Sequence, residues 1–293
     1  MISTGIQVLQ ALQERGEATR PQLAQATGLS LVTIGHIMKQ LLQRGEAMEL
    51  GKISSGGGRP VQLYRFNNRH SYHVTIRLTR EGNQLRGVME ELDLNSAVIL
   101  RKEGRFSYID KESFDSWVDA LSRKHRISCI TLSLPDDTPA KALTEHLHGR
   151  YTCSVYTPSE AAMLAVRREG IATLYLPQGE AAGCAYYRHG RVSECGNLAQ
   201  LPLPTDWQLL DYTDRTMQEE MVARLLQIIN CILAPTRVYL YAPEWNARLT
   251  ERIRYNASTK VKGNLPTLRF VTLPENGIER ALREYGASIM KGK

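Results

Sequence analysis

The chain has 293 residues and a formal net charge of +7, with 42% apolar and 23% charged side chains. That mixture excludes extended disorder, and the length suits a small domain joined to a larger one. No run approaches the ~18 apolar residues of a membrane-spanning helix. The start, Met1-Ile2-Ser3-Thr4, lacks the charged and apolar regions of a secretory signal, so a cytoplasmic protein with no membrane partner is expected.

Five cysteines (Cys129, Cys153, Cys184, Cys195 and Cys231) stand singly, with no Cys-x-x-Cys pair. Neither a disulfide framework nor a zinc knuckle fits that spacing. Cys129, Cys184 and Cys231 lie among apolar neighbours and read as buried free thiols. His146 and His148 are two apart, on different sides of a helix, which suits solvated histidines better than a metal pair. No metal and no cofactor is expected.

The charge is uneven. Residues 1–70 carry eight basic and four acidic side chains, so a quarter of the chain holds +4 of the +7 excess. A nucleic-acid-binding head has this character. Residues 5–15 place Ile6, Leu9 and Leu12 at helical spacing with Val8 flanking, and Gly16 ends that helix. Thr19-Arg20-Pro21-Gln22 reads as a helix start, with a Thr cap, an early Pro and Gln at the capping-box position. Leu23, Ala24 and Ala26 give a short apolar face, and Gly28 gives a tight turn. A third helix opens at Ser30, with Val32, Ile34, Ile37, Leu41 and Leu42 as its apolar positions. Helix, short helix, Gly turn and helix spell a helix-turn-helix.

Met48 and Leu50 then alternate with charged neighbours, and Lys52-Ile53-Ser54-Ser55-Gly56-Gly57-Gly58-Arg59-Pro60 interrupts them. Extended residues resume at Val61, Leu63 and Tyr64-Arg65-Phe66, so the pattern is a wing with a glycine-rich basic tip. The expected DNA-binding residues are Arg20, Ser30, Thr33, His36, Lys39, Lys52 and Arg59. Thr33 and His36 are placed to reach bases, Ser30, Lys39 and Lys52 to reach phosphates, and Arg59 to enter a minor groove. Ser30 serves equally as a helix cap, and His36 as a solvated residue.

After Asn68 strands alternate with helices. Strands are expected at 72–78, 84–91 and 97–102, with Gly104 closing the last. A helix at 112–124 turns Phe114, Trp117, Val118 and Leu121 inward. A strand at 127–134, a helix near 139–148, a strand at 152–156 and a helix at 159–168 follow. The scheme then restarts. Strands at 172–177 and 182–188, with a turn at His189-Gly190, precede a long helix at 216–233. That helix carries Met217, Met221, Leu225, Ile228 and Ile232 on one stripe. A strand at 238–241, a helix at 244–255, a strand at 268–272 and a helix at 277–290 complete the chain. Two lobes of strands with helical crossovers make an α/β fold with a cleft.

These segments resemble the ROK family of sugar-responsive repressors and sugar kinases. The resemblance rests on Ala18-Thr19-Arg20-Pro21-Gln22-Leu23-Ala24, Thr27-Gly28-Leu29-Ser30 and Gly56-Gly57-Gly58-Arg59-Pro60 with Leu63-Tyr64. It continues through Gly179-Glu180-Ala181-Ala182-Gly183-Cys184-Ala185 with Gly190-Arg191, Cys195-Gly196-Asn197-Leu198-Ala199-Gln200-Leu201-Pro202, Asn230 to Pro235 and Tyr285-Gly286-Ala287. It implies an α/β fold with an N-terminal winged helix-turn-helix over residues 1–68. A two-lobed actin-like, ROK-type ATPase domain would fill 69–293.

Where the family has its catalytic Asn-Asp pair, this chain has Thr157-Pro158, and proline cannot accept a proton. Glu160 lies close in sequence but a turn along the helix. The phosphate loop has lost two glycines and carries Glu180, the Asp-x-Gly loop is Thr75-Ile76-Arg77, and the sugar-binding Glu and His are Asn197 and Gln200. The cysteine cluster is absent from 203–216. The resemblance therefore implies a catalytically inactive body with no kinase activity. Asn197, Gln200, Glu160 and Gly183 are the candidate effector contacts. The expected partners are double-stranded DNA, a second copy in a homodimer or higher homo-oligomer, and a sugar or sugar-phosphate effector. Two other readings stay open at this point: control by a protein partner without metabolite sensing, and an active sugar kinase.

Overall fold

The computed structural model describes residues 4–54, 59–107, 111–135, 145, 147, 150–176, 182–195, 215–242, 244–261, 263–272 and 277–291. Three sheets organise it, each with its own apolar core.

The first sheet and its helices occupy the N-terminal quarter. The order is α1 (Thr4–Arg15), β1 (Glu17–Thr19), α2 (Arg20–Thr27), α3 (Leu31–Gln43), β2 (Ala47–Ile53) and β3 (Val61–Phe66). Thr19 caps α2 in the expected capping box: its side chain accepts from the Gln22 N–H, and the Gln22 side chain accepts from the Thr19 N–H. Gly28 ends α2 at φ +71°, the left-handed geometry that a side chain would oppose. The sheet order is β1-β3-β2, all antiparallel. Val8, Leu12, Leu23, Ile34, Ile37, Met38, Leu41, Tyr64 and Phe66 fill the core between sheet and helices. Ile6 and Leu9 are only half-buried and Ala26 is exposed, so Val8 and Leu12 carry the inward face of α1.

Val32 departs most from its sequence reading. It is 83% exposed, because Ile34, Ile37, Met38 and Leu41 set the buried stripe of α3 and position 32 falls opposite them.

The body consists of two five-stranded sheets on one plan. The first contains β4 (Tyr72–Glu81), β5 (Gln84–Leu92), β6 (Val98–Phe106), β7 (Ile127–Ser133) and β8 (Thr152–Tyr156), in the order β6-β5-β4-β7-β8. The second contains β9 (Ile171–Tyr175), β10 (Gly183–Arg188), β11 (Arg191–Glu194), β12 (Arg237–Ala242) and β13 (Thr267–Thr272), in the order β11-β10-β9-β12-β13. In each, three antiparallel strands form a meander and two further strands join in parallel. The short β11 supplies the third strand that makes the second sheet match the first. His189 and Gly190, both at positive φ, turn the β10–β11 hairpin.

The helices are α4 (Lys111–Ser122), α5 (Pro158–Leu164), α6 (Arg215–Leu233), α7 (Ala247–Lys260) and α8 (Gly277–Lys291). Trp117 and Val118 of α4 pack into the core on one face of the first sheet. The other face of that sheet receives α8, and α8 also packs on α5, which rests on the second sheet. Met221, Val222, Leu225, Leu226 and Ile229 of α6, with Leu249, Ile253 and Ala257 of α7, cover the far face of the second sheet.

Several expectations require correction. Gly104 does not close a strand; it lies inside β6, opposite Gly87 on β5. A Cβ on either glycine would come within 2.8 Å of the Trp117 ring, so the pair makes room for the indole. Ile232 is 74% exposed although it stands in line with the buried Met221 and Leu225, because it is the penultimate residue of α6. Cys231 is likewise exposed, although Cys129, Cys153 and Cys184 are buried. The helix at α5 ends at Leu164, four residues early, and α7 starts later than expected, with Asn246 as its cap. Of the expected helix near 139–148, residues 145 and 147 are described, both helical, with Leu147 buried in the core of the first body sheet; the His146–His148 pair and the side chains of Phe114, Leu121 and Met217 lie outside the described residues. Among the described residues no helix is long and apolar enough to cross a membrane.

Candidate functional site

Four of the expected nucleic-acid contacts sit on α3. Ser30 is its N-cap: its Oγ accepts from the Thr33 N–H at 3.1 Å and pairs with Thr33 Oγ1 at 2.8 Å. His36 is exposed, with its Nε2 3.1 Å from the Gln40 amide nitrogen. Val32, His36, Lys39 and Gln43 recur at helical spacing on the exposed side, opposite the buried stripe. Arg20 opens α2 beside this helix. Its guanidinium lies over the Tyr64 ring at 5.5 Å and its Nη1 lies 3.7 Å from where a Gly35 Cβ would sit.

Lys52 and Arg59 belong to the β2–β3 hairpin. Lys52 pairs with Gln62 across the strands, and Arg59 is exposed just before β3. The glycine-rich tip at 55–58 lies outside the described residues.

The N-terminal unit is tied to the body at one corner. Asn68 Nδ2 donates to Asp93 at 2.6 Å, the Leu94 N–H donates to the Asn68 carbonyl at 2.9 Å, and Leu94 packs against the N-terminal core. A cavity of about 270 Å³ opens there between α1, α3 and the body. Ile37 and Leu41 line it, so the inner face of α3 meets the body across this space.

In the body, Thr157 is the N-cap of α5 and Pro158 its first residue, a position where proline fits because that N–H has no helical partner. Glu160 completes the capping box: its carboxylate accepts from the Thr157 N–H at 3.0 Å. That carboxylate is therefore engaged at the helix start rather than standing free as a base. Gly183 is buried at the start of β10, and a Cβ there would lie 2.7 Å from the Ser159 Cβ. Its missing side chain admits α5, a packing role beside any contact with a ligand. Asn197 and Gln200, with the loop at 177–181, lie outside the described residues.

Sequence reasoning missed an ionic layer between the first sheet and α8. Arg77 on β4 donates to both carboxylate oxygens of Glu279 on α8 at 3.1 Å. Glu90 on β5, 1% exposed, accepts from Arg101 on β6 and from Arg283 on α8. Its neighbour Glu91 faces the opposite side and pairs with His125 at 2.6 Å. The adjacent acids were a readable signal. Strand side chains alternate, so when both faces of a sheet are covered, one acid is buried on each. His73 lies in the same layer under Gly286 of α8. Burial pushes its imidazole down to about 4, partly opposed by the Glu90 carboxylate, and its Nε2 has no hydrogen-bond partner among the described residues. Among the described residues, no cluster of three or more His, Cys, Asp or Glu is arranged to hold a metal ion.

No protein-family model and no curated protein matches the chain. Solved structures do. A ROK family transcriptional regulator described as a homologue of the E. coli Mlc protein superposes with a TM-score of 0.57 at 13% identity, covering 98% of each chain. A ROK family protein from Streptococcus pneumoniae, solved with sucrose, gives 0.54 at 13% identity, over 76% of this chain and all of its own. A putative N-acetylmannosamine kinase from Listeria monocytogenes gives 0.50 at 12% identity, over 75% of this chain and 99% of its own. The chain thus has the fold of the ROK proteins, a set that contains both regulators and sugar kinases.

Proposed function

We propose that the chain is a DNA-binding transcriptional regulator of the ROK type. Residues 1–68 form a winged helix-turn-helix, and residues 69–293 form a body that no longer performs phosphoryl transfer. One observation carries this reading. The regulator matches 98% of the chain, while the sucrose-bound protein and the kinase match 76% and 75% although nearly all of each is used. The shortfall is close to the share that residues 1–68 make of the whole. What this chain has beyond a kinase-sized body is a basic three-helix unit with a β-hairpin.

The body supports the same reading. Pro158 stands where the resemblance puts a catalytic base, Glu160 is held in a cap, and Arg77 of the expected phosphate loop is paired with Glu279. On this reading the body dimerises the protein and places two α3 helices on successive half-sites. A sugar or sugar phosphate acting on the body reaches α3 through the Leu94 corner. Repression of carbohydrate-related genes, in the cytoplasm, is the corresponding role.

The test pairs two assays on the full chain: binding to duplexes selected from a random library, and ATP-dependent sugar phosphorylation with Mg²⁺ at high protein concentration. Sequence-selective binding without phosphorylation is expected. Turnover that disappears in Glu160→Gln would overturn the inactive-body reading.

A further inference from the structure

We infer that Val32 is a base-reading residue that recognises the 5-methyl group of thymine in the major groove; the inference rests on the DNA-binding reading above. Val32 is the most exposed large apolar residue among those described, at 83%, and Leu31 beside it is 57% exposed. A β-branched side chain in the first turn of a helix lowers helix propensity, and here it gains no packing in return. Its position is informative. It lies on the exposed face with His36 and Lys39, directly opposite Ile34, Ile37, Met38 and Leu41.

The polar groups around it are partly committed within the helix. The Ser30 and Thr33 hydroxyls pair with each other, and Ser30 also caps the Thr33 N–H. At the leading turn of α3, an isopropyl group is therefore the most exposed apolar side chain. The major groove offers one apolar group to meet it, the thymine methyl, which also separates T·A from C·G. Lys39 on the same face supplies a cation for phosphate contact, and His36 a hydrogen-bonding ring one turn on.

The probe is a duplex enriched from a randomised library by the full chain. Each thymine is then replaced singly by deoxyuridine, which removes the methyl and leaves the pairing edge unchanged. Wild-type binding is expected to weaken about three- to five-fold at one thymine per half-site, the value of one buried methyl. In Val32→Ala the same deoxyuridine substitution should have no effect, with the salt dependence unchanged because no phosphate contact is removed. Val32→Thr, which keeps one methyl on a branched carbon, should retain part of the sensitivity. The inference is overturned if no deoxyuridine weakens binding, or if the loss persists in Val32→Ala. A library yielding no enriched duplex would instead overturn the DNA-binding reading, and the inference with it.

Discussion

Arg77 on β4 and Glu279 in the first turn of α8 are 202 residues apart in sequence, and the guanidinium meets both carboxylate oxygens at 3.1 Å. The side chains are 18% and 5% exposed. The pair ties the last helix of the chain to the first strand of the body. It also places a carboxylate where the family resemblance calls for a phosphate-binding loop.

Removing one partner leaves a mostly buried charge uncompensated. Arg77→Ala should therefore destabilise the protein by about 3–5 kcal/mol in urea unfolding, while replacing both residues by apolar ones should cost much less. A double-variant loss equal to the sum of the two single losses would show that the two charges do not interact.

Gly183 makes a second, independent prediction. A Cβ there meets the Ser159 Cβ at 2.7 Å, so Gly183→Ala should cost about 1–3 kcal/mol through overpacking. Ser159→Gly in the same chain should recover part of that loss. A Gly183→Ala protein as stable as the wild type would mean that α5 shifts freely.

His73 predicts a pH dependence. Its imidazole is lowered to about 4 from 6.5, so between those values the unfolded chain binds more protons than the folded one. Stability is complete above pH 6.5 and falls as pH drops toward 4, by about 3 kcal/mol from this residue. The charged groups in its layer are Glu90 with Arg101 and Arg283, and Arg77 with Glu279. His73→Gln should flatten the slope between pH 6.5 and 5 in denaturation measured at several pH values. An unchanged slope would assign the effect to another group.

The β2–β3 hairpin predicts a salt effect. If Lys52 and Arg59 contact phosphates or the minor groove, Lys52→Ala and Arg59→Ala should weaken binding to every sequence. Each should lower the slope of log K against log salt by about 1. Unchanged slopes in titrations at four salt concentrations would remove the hairpin from the interface.

Local chemistry was legible in the sequence; the placement of one element on another was less so. The Thr19–Gln22 capping box, the Gly28 turn and the His189–Gly190 hairpin are written within four residues and appear as read. Periodicity located α3 and α6, but Val32 lies opposite the Ile34–Ile37–Leu41 stripe, and Ile232 continues the stripe of α6 to an exposed helix end. Gly104 reads locally as a stop; only the register with Gly87 and the position of Trp117 reveal it as a seat for a ring. The ionic layer beneath α8 depends on residues up to 202 apart. Thr157-Pro158 and Arg77 were readable as departures from the family motif, whereas the engagement of Glu160 and Arg77 with other side chains was not.

The central claim is tested most directly by fluorescence anisotropy of the full chain at fixed salt, comparing a library-selected duplex with its scrambled counterpart. The account predicts tighter binding to the selected duplex by about 10³-fold or more. Equal affinity for both duplexes across a range of salt would contradict it.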